Sequence, residues 1–120
     1  IKIAGIDVAK GALMTQEPLI GDITTSIADQ FRTLYKEKYG DLPSSPWPVY
    51  AADGLYAIVG AIKNANSLEA DAIANAMHTN MVNVEGVTGP ILFTDRGDRK
   101  DVPYKMYEVT ADGKYVVRPE

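Results

Sequence analysis

The side chains that could do chemistry in this sequence are few: one histidine, His78; an acidic comb at Asp95, Asp98 and Asp101; a glycine pair, Gly86 and Gly89; and Asp53, a carboxylate set in an apolar stretch. A metal centre on His78 would need a second histidine, or a Cys, Asp or Glu, at ligand spacing, and none stands there. Beside Thr79 and Asn80, near the end of a helical pattern, His78 reads as a surface residue that suits the helix C-terminal dipole. The acidic comb lacks the alternating Asp/Asn, central glycine and closing Glu of an EF-hand loop. Asp95, Gly97 and Asp98 read instead as turn formers, and the Arg96-Gly97-Asp98 tripeptide carries the same turn chemistry. Gly86 and Gly89 are not followed by the Lys and Ser/Thr of a phosphate loop, so backbone geometry is their reading. No catalytic residue, metal ligand or cofactor is expected.

Asp53 and its neighbours are more informative. The stretch Pro48 to Ile62, PVYAADGLYAIVGAI, is apolar or small on every side of a helix except at Asp53. A helix that is hydrophobic all round is buried on more than one side, and a buried carboxylate must be paired or hydrogen-bonded. Asp53 is therefore expected to bond to backbone or to sit at an exposed edge, with a place at a binding cleft as the alternative. Trp47, Pro48 and Tyr50, at the start of this helix, are the candidate ligand contacts. Aromatic rings offer apolar area with fixed geometry, and a helix start presents free amide donors. Packing beneath a loop is the competing reading for Trp47 and Tyr50.

Nothing between Ile20 and Val82 reads as a strand, so the natural cover for this helix, a layer of parallel strands, must come from other polypeptide. The chain is read as part of a larger protein. Gly54 and Gly60 would let the helix backbone approach that layer closely. If these 120 residues are isolated, the uncovered helix predicts association with the remaining polypeptide, or with a second copy as a dimer or by swapped elements.

Composition is globular, with 46% hydrophobic and 23% charged residues. Twelve basic against sixteen acidic residues give a net charge of -4, with both signs scattered, which leaves no electrostatic footprint for nucleic acid. The absence of cysteine rules out disulfides and thiolate chemistry. No apolar run reaches the roughly 20 residues that cross a bilayer. The chain opens on Ile1 without a leader pattern, so any export signal is expected to have been removed or never included.

The elements that would position these residues follow from periodicity. Ile1 to Gly5 reads as the tail of a helix and Gly11 to Thr15 as a strand. Ile23, Ile27, Phe31, Leu34 and Tyr35 carry helix spacing, with Asp22 or Thr24 as cap and Gly40 as the stop. The proline-rich Asp41 to Pro48 leads to a helix starting near Pro46 to Val49 and running to about Ala65. A third helix, capped near Asn66 and Ser67, ends near Asn80. From Val84, VEGVTGPILF reads as loop then strand, DRGDRK as a charged turn, and YKMYEV, ADG and KYVV as a closing hairpin, making a meander. An enzyme working through Asp53, Asp95 or Asp98 is disfavoured, since no nucleophile, metal set or oxyanion device converges on them.

In this order the segments resemble the solute-binding proteins of ABC transporters in the branched-chain amino acid class, the type I periplasmic binding fold. IAGIDVAKGALMTQEP is similar to the last helix and crossover strand of the ligand-clamping lobe, VYAADGLYAIVGAIKNA to the buried helix, GVTGPILFTDRGDR to the GxTGxxxF-D-x-x-GD element, and YKMYEVTADGKYVV to the terminal hairpin. The resemblance implies an α/β fold, the C-terminal portion of a two-lobed protein, with three helices and a C-terminal β meander. Residues 1–15 would end the ligand-clamping C-terminal lobe, with its hinge strand; 16–104 would belong to the N-terminal lobe; 105–120 would form a hinge crossing and the terminal hairpin. Leu13 to Pro18 and Lys105 to Tyr107 would then be two of three hinge crossings. It also implies noncatalytic capture of a small solute, an amino acid or a hydrophobic or aromatic carboxylate, for an ABC permease. The location would be periplasmic or extracellular, and compatible with a lipid anchor. A ligand-sensing domain of a receptor or regulator is the alternative with the same fold. Residues around the start of the buried helix border the cleft in this family, which again selects Trp47, Pro48 and Tyr50.

Overall fold

The structure is a computed structural model that describes residues 3–79, 81 and 83–118. In chain order its elements are α1 (Ile6–Ala9), β1 (Leu13–Gln16), α2 (Ser26–Tyr39), α3 (Trp47–Ala65), α4 (Ala70–Thr79), β2 (Glu85–Gly86), β3 (Gly89–Pro90), β4 (Lys105–Val109) and β5 (Tyr115–Val117). They fall into two units: Leu19–Val102, which holds α2 to β3, and Ile1–Pro18 with Pro103–Glu120. The fold is a mixed α/β one.

In the Leu19–Val102 unit, α2 begins at Thr25, whose hydroxyl accepts from the Ala28 amide at 3.0 Å. The expected caps, Asp22 and Thr24, stand too early, because Ile20–Asp22 is occupied by a 3-10 turn. Gly40 closes α2 in the left-handed conformation at φ +85°, which only glycine adopts at little cost, and its amide bonds Lys36. The next helix, α3, starts and stops where the prolines and Asn66 predict. After it, the Ser67 hydroxyl accepts from the Glu69 amide just ahead of α4; Asn80, the expected end of α4, lies outside the described residues.

Two apolar clusters hold this unit. One joins Ala57, Ala61, Ala76, Met81, Val84 and Ile91, and the other joins Ile20, Ile23, Ala28, Val49 and Val87. The segment Ile91 to Phe93, expected as a strand, is not one. Pro90 lacks an amide donor, Ile91 is drawn into the first cluster, and Phe93 makes only an isolated antiparallel bridge to Arg99. The pairing is earlier and tighter: Glu85 opposes Pro90 and Gly86 opposes Gly89, around a turn at Val87 and Thr88.

The other unit is built on a three-stranded antiparallel sheet in the order β1-β4-β5. Its third strand is thus β1, from the start of the chain, rather than a neighbour along the sequence. Met14 opposes Tyr107, which opposes Val117, so that Tyr107 takes the central position and is fully buried. Of the expected helix tail at Ile1 to Gly5, Ile1 and Lys2 lie outside the described residues. Ile3 and Ala4 form a turn, and Gly5 at φ +81° precedes the single helical turn of α1.

The β4-β5 turn carries its own electrostatic clasp. Asp112 pairs with Lys114 at 2.7 Å and accepts from the Thr110 hydroxyl. The Lys114 ammonium first, and Thr110 second, hold the Asp112 carboxyl down at about 2. A folded-state value below the unfolded one stabilises the turn above the unfolded carboxylate range, and that contribution disappears as pH falls through about 2. Carboxyl-detected NMR is expected to show Asp112 titrating at about 2 and returning toward 3.8 in Lys114→Met.

Candidate functional site

The first turn of α3 carries the three candidate contacts. Trp47 is 69% exposed, Pro48 and Tyr50 are half-buried, and the buried stripe of the helix begins between them at Val49. The turn does not present a row of free amides. Pro48 has no N–H, and the Val49 and Tyr50 amides both donate to the Pro46 carbonyl, at 3.0 and 3.2 Å. What it offers a ligand is ring surface on a fixed backbone rather than an anion-binding helix end.

One turn further on, Asp53 is the buried charge of this helix, with 4% exposure. Its Oδ1 accepts from the Val87 amide at 2.5 Å and more weakly from the Thr88 amide; its Oδ2 accepts from the Thr88 hydroxyl and from Arg99 Nη1, the latter at 3.0 Å. Arg99 also donates to the Pro90 carbonyl at 3.1 Å. Thr25 completes the arrangement by donating its hydroxyl to the Val87 carbonyl at 2.7 Å while capping α2. Both polar groups of Val87 are thereby satisfied, one by α3 and the other by the start of α2. Asp53 is thus a structural carboxylate bonded to backbone. Each of its oxygens has partners, so it is not poised to act as acid, base or ligand contact.

Two glycines matter here for space. A Cβ on Gly86 would run into Asp53 Oδ1 and come within 2.7 Å of Ile91 Cδ1. Gly60 is a close approach, as expected, but to the Val84 side chain, whereas Gly54 meets nothing within 4 Å.

The remaining candidates build no ligand set, although His78 lies beside the Asp95–Asp98 turn, where a Cβ on Gly97 would stand 3.5 Å from its Cε1. His78 lies exposed in the last turn of α4. Asp95 and Asp98 flank a turn organised by Thr94, whose hydroxyl accepts from the Arg96 and Asp98 amides, with Gly97 at φ +87°. Asp101 stands apart at φ +51°. No group of three His, Cys, Asp or Glu side chains that could hold a metal occurs among the described residues. Arg99 was hidden in the sequence, where it reads as one more charge of DRGDRK. Only the demand of Asp53 for a partner pointed toward such a residue.

A second surface was not legible as a site. Between α2 and α3 runs an apolar groove of about 460 Å³, lined chiefly by Phe31, Leu34, Tyr35, Tyr39, Leu55 and Tyr56. Phe31, Tyr35 and Tyr39 form a ladder along α2, with ring centroids 5.4 and 4.5 Å apart.

This α/β arrangement is shared with known proteins. Residues 1–114 match the family model described as periplasmic binding protein, and the chain belongs to that family, one of binding proteins rather than enzymes. Among solved structures, it is similar to the leucine binding protein LivK of Thermotoga maritima MSB8, with TM-score 0.74, 24% identity and 99% of this chain covered. It is also similar to a periplasmic binding protein of Burkholderia mallei, with TM-score 0.69, 15% identity and 98% of this chain covered. The chain spans 33% and 32% of their respective lengths, so it corresponds to about a third of such a structure. No curated protein matches it. No described helix is long and apolar enough to cross a membrane.

Removing the Asp53 charge leaves Arg99 and the Val87 amide without their partner. Asp53→Ala is expected to cost about 3–5 kcal/mol in urea unfolding, and adding Arg99→Met is expected to return part of that loss, because it removes the charge left without its partner. Gly86→Ala is expected to cost about 1–3 kcal/mol by the same measurement, because neither the carboxylate nor Ile91 has room to yield.

Proposed function

We propose that the chain is the C-terminal part of a noncatalytic solute-binding protein that serves ABC-type import from the periplasm. The observation that carries this reading is the family match across residues 1–114. In this reading the Leu19–Val102 unit contributes to the N-terminal lobe. The Ile1–Pro18 and Pro103–Glu120 unit contributes to the C-terminal lobe, with Leu13 to Pro18 and Lys105 to Tyr107 as hinge crossings. The chain passes from one unit to the other at Pro18 and again at Pro103, which supports placing hinges there.

The solute class is a small amino acid or a hydrophobic or aromatic carboxylate. The relative named as leucine binding supports an aliphatic amino acid as the first to test. Trp47, Pro48 and Tyr50 supply ring surface to the solute's apolar part, while its charged groups are met by polypeptide outside this chain. A membrane permease receives the solute. Binding drives lobe closure only to the extent that the solute has higher affinity for the closed state than for the open one.

Trp47 is the one tryptophan of this chain, which makes the test direct. In the full-length protein, titration calorimetry with leucine and with aromatic amino acids should give saturable binding, and Trp47→Ala should weaken it about tenfold, roughly 1.4 kcal/mol. An unchanged affinity would remove Trp47 from the site. Silence toward every branched and aromatic amino acid would overturn the transport reading.

A further inference from the structure

The sequence carries the step Asp-Gly twice, at Asp53–Gly54 and at Asp112–Gly113, each time after an alanine. An aspartate followed by glycine is open to rearrangement, because no Cβ shields the glycine amide nitrogen from the neighbouring carboxyl carbon. The local sequence is the same at the two steps, so a difference between them comes from the fold. At the first, Asp53 is buried and held on both oxygens by Val87, Thr88 and Arg99, and the Gly54 amide lies within the hydrogen-bond ladder of α3. At the second, in the turn between β4 and β5, the Asp112 side chain is 58% exposed. There Gly113, at φ +79°, donates its amide to the Thr110 carbonyl at 3.0 Å, while Lys114 and the Thr110 hydroxyl hold the carboxylate.

We propose that Asp112–Gly113 is the site at which this protein forms isoaspartate, and that the Thr110–Asp112–Lys114 clasp sets the rate. The Gly113 amide nitrogen attacks Asp112 Cγ, a C–N bond forms, and the carboxyl oxygen leaves as water with the amide proton and the acid proton. Water then adds to one or the other imide carbonyl and breaks its C–N bond, which restores aspartate or gives isoaspartate, so no co-reactant but water is needed. Two features of the turn oppose ring closure. The Gly113 amide must leave the Thr110 carbonyl before its nitrogen can turn on Cγ, and the Lys114 ammonium keeps the carboxyl ionised, whereas the neutral acid is the better electrophile. An exposed ion pair opens readily, so the clasp slows the reaction without preventing it. The product has an extra methylene in the backbone where the turn must bring Val109 opposite Tyr115, and it therefore loosens the β4-β5 pairing.

Incubation of the intact protein in warm, mildly acidic buffer, followed by peptide mapping with electron-transfer fragmentation, reads isoaspartate separately at the two steps. It should accumulate at Asp112 and not at Asp53 in the native protein, and at similar rates at both in urea, where the shared tripeptide is free of the fold. Lys114→Met should speed the reaction at Asp112 roughly tenfold, because loss of the ammonium returns the carboxyl toward 3.8 and enlarges its neutral fraction. Lys114→Arg should keep the native rate. Equal accumulation at the two steps in the native protein, none at Asp112, or an unchanged rate in Lys114→Met would overturn the proposal. Acceleration at Asp53 as well would mean that the substitution had opened the fold. The clasp is then tested in the unsubstituted protein by added salt, which screens an exposed ion pair and should speed Asp112 alone; no effect of salt there would overturn it too.

Discussion

The Leu19–Val102 unit depends on one buried carboxylate. Asp53 stands on the inner stripe of α3 between Val49, which belongs to one apolar cluster, and Ala57, which belongs to the other. A charge at that junction is tolerable only with close partners, and it collects them from a hairpin 34 residues away and from Arg99, 46 residues away. Ion pairs of this kind add little net stability compared with a well-packed apolar replacement, but they penalise every arrangement in which the partners are apart. Here the consequence is register: β2 and β3 can sit on α3 in one position, the position that also lets Thr25 reach Val87.

That arrangement follows from how little hydrophobic bulk the inner face of α3 carries. Alanines at 57, 61 and 76 permit close contact between α3 and α4 while burying few methylenes. The polar network compensates by defining geometry where apolar volume is scarce. The larger aliphatic residues of α3, Leu55 and Ile58, are on the far side and exposed.

The sheet of the other unit illustrates a different constraint. Its central strand, β4, pairs on one side with β5, reached through a five-residue turn, and on the other with β1, some ninety residues earlier. The first pairing is local and announced by alternating residues around Asp112 and Gly113. The second is inexpensive to form only once the intervening chain has folded as a unit, since closing so long a loop unaided is slow.

The sequence by itself determined the helices and the tight turns, because their causes are local: helix-period apolar residues from Ile27 to Tyr35, Gly40 and Asn66 as stops, Pro46 and Pro48 at the start of α3, and Ala111 to Gly113 as a turn. It also determined that Asp53, once buried, needed a partner, since a carboxylate taken out of water is costly wherever it is buried. Only the tertiary structure decided who the partner was, that Thr25 rather than Asp22 or Thr24 caps α2, that Ile91 to Phe93 leaves the sheet to β1, and that the amides at Val49 and Tyr50 are already used. The Arg99 partner and the β1 pairing turn on contacts made across the fold, and spacing along a chain carries no record of distance across it.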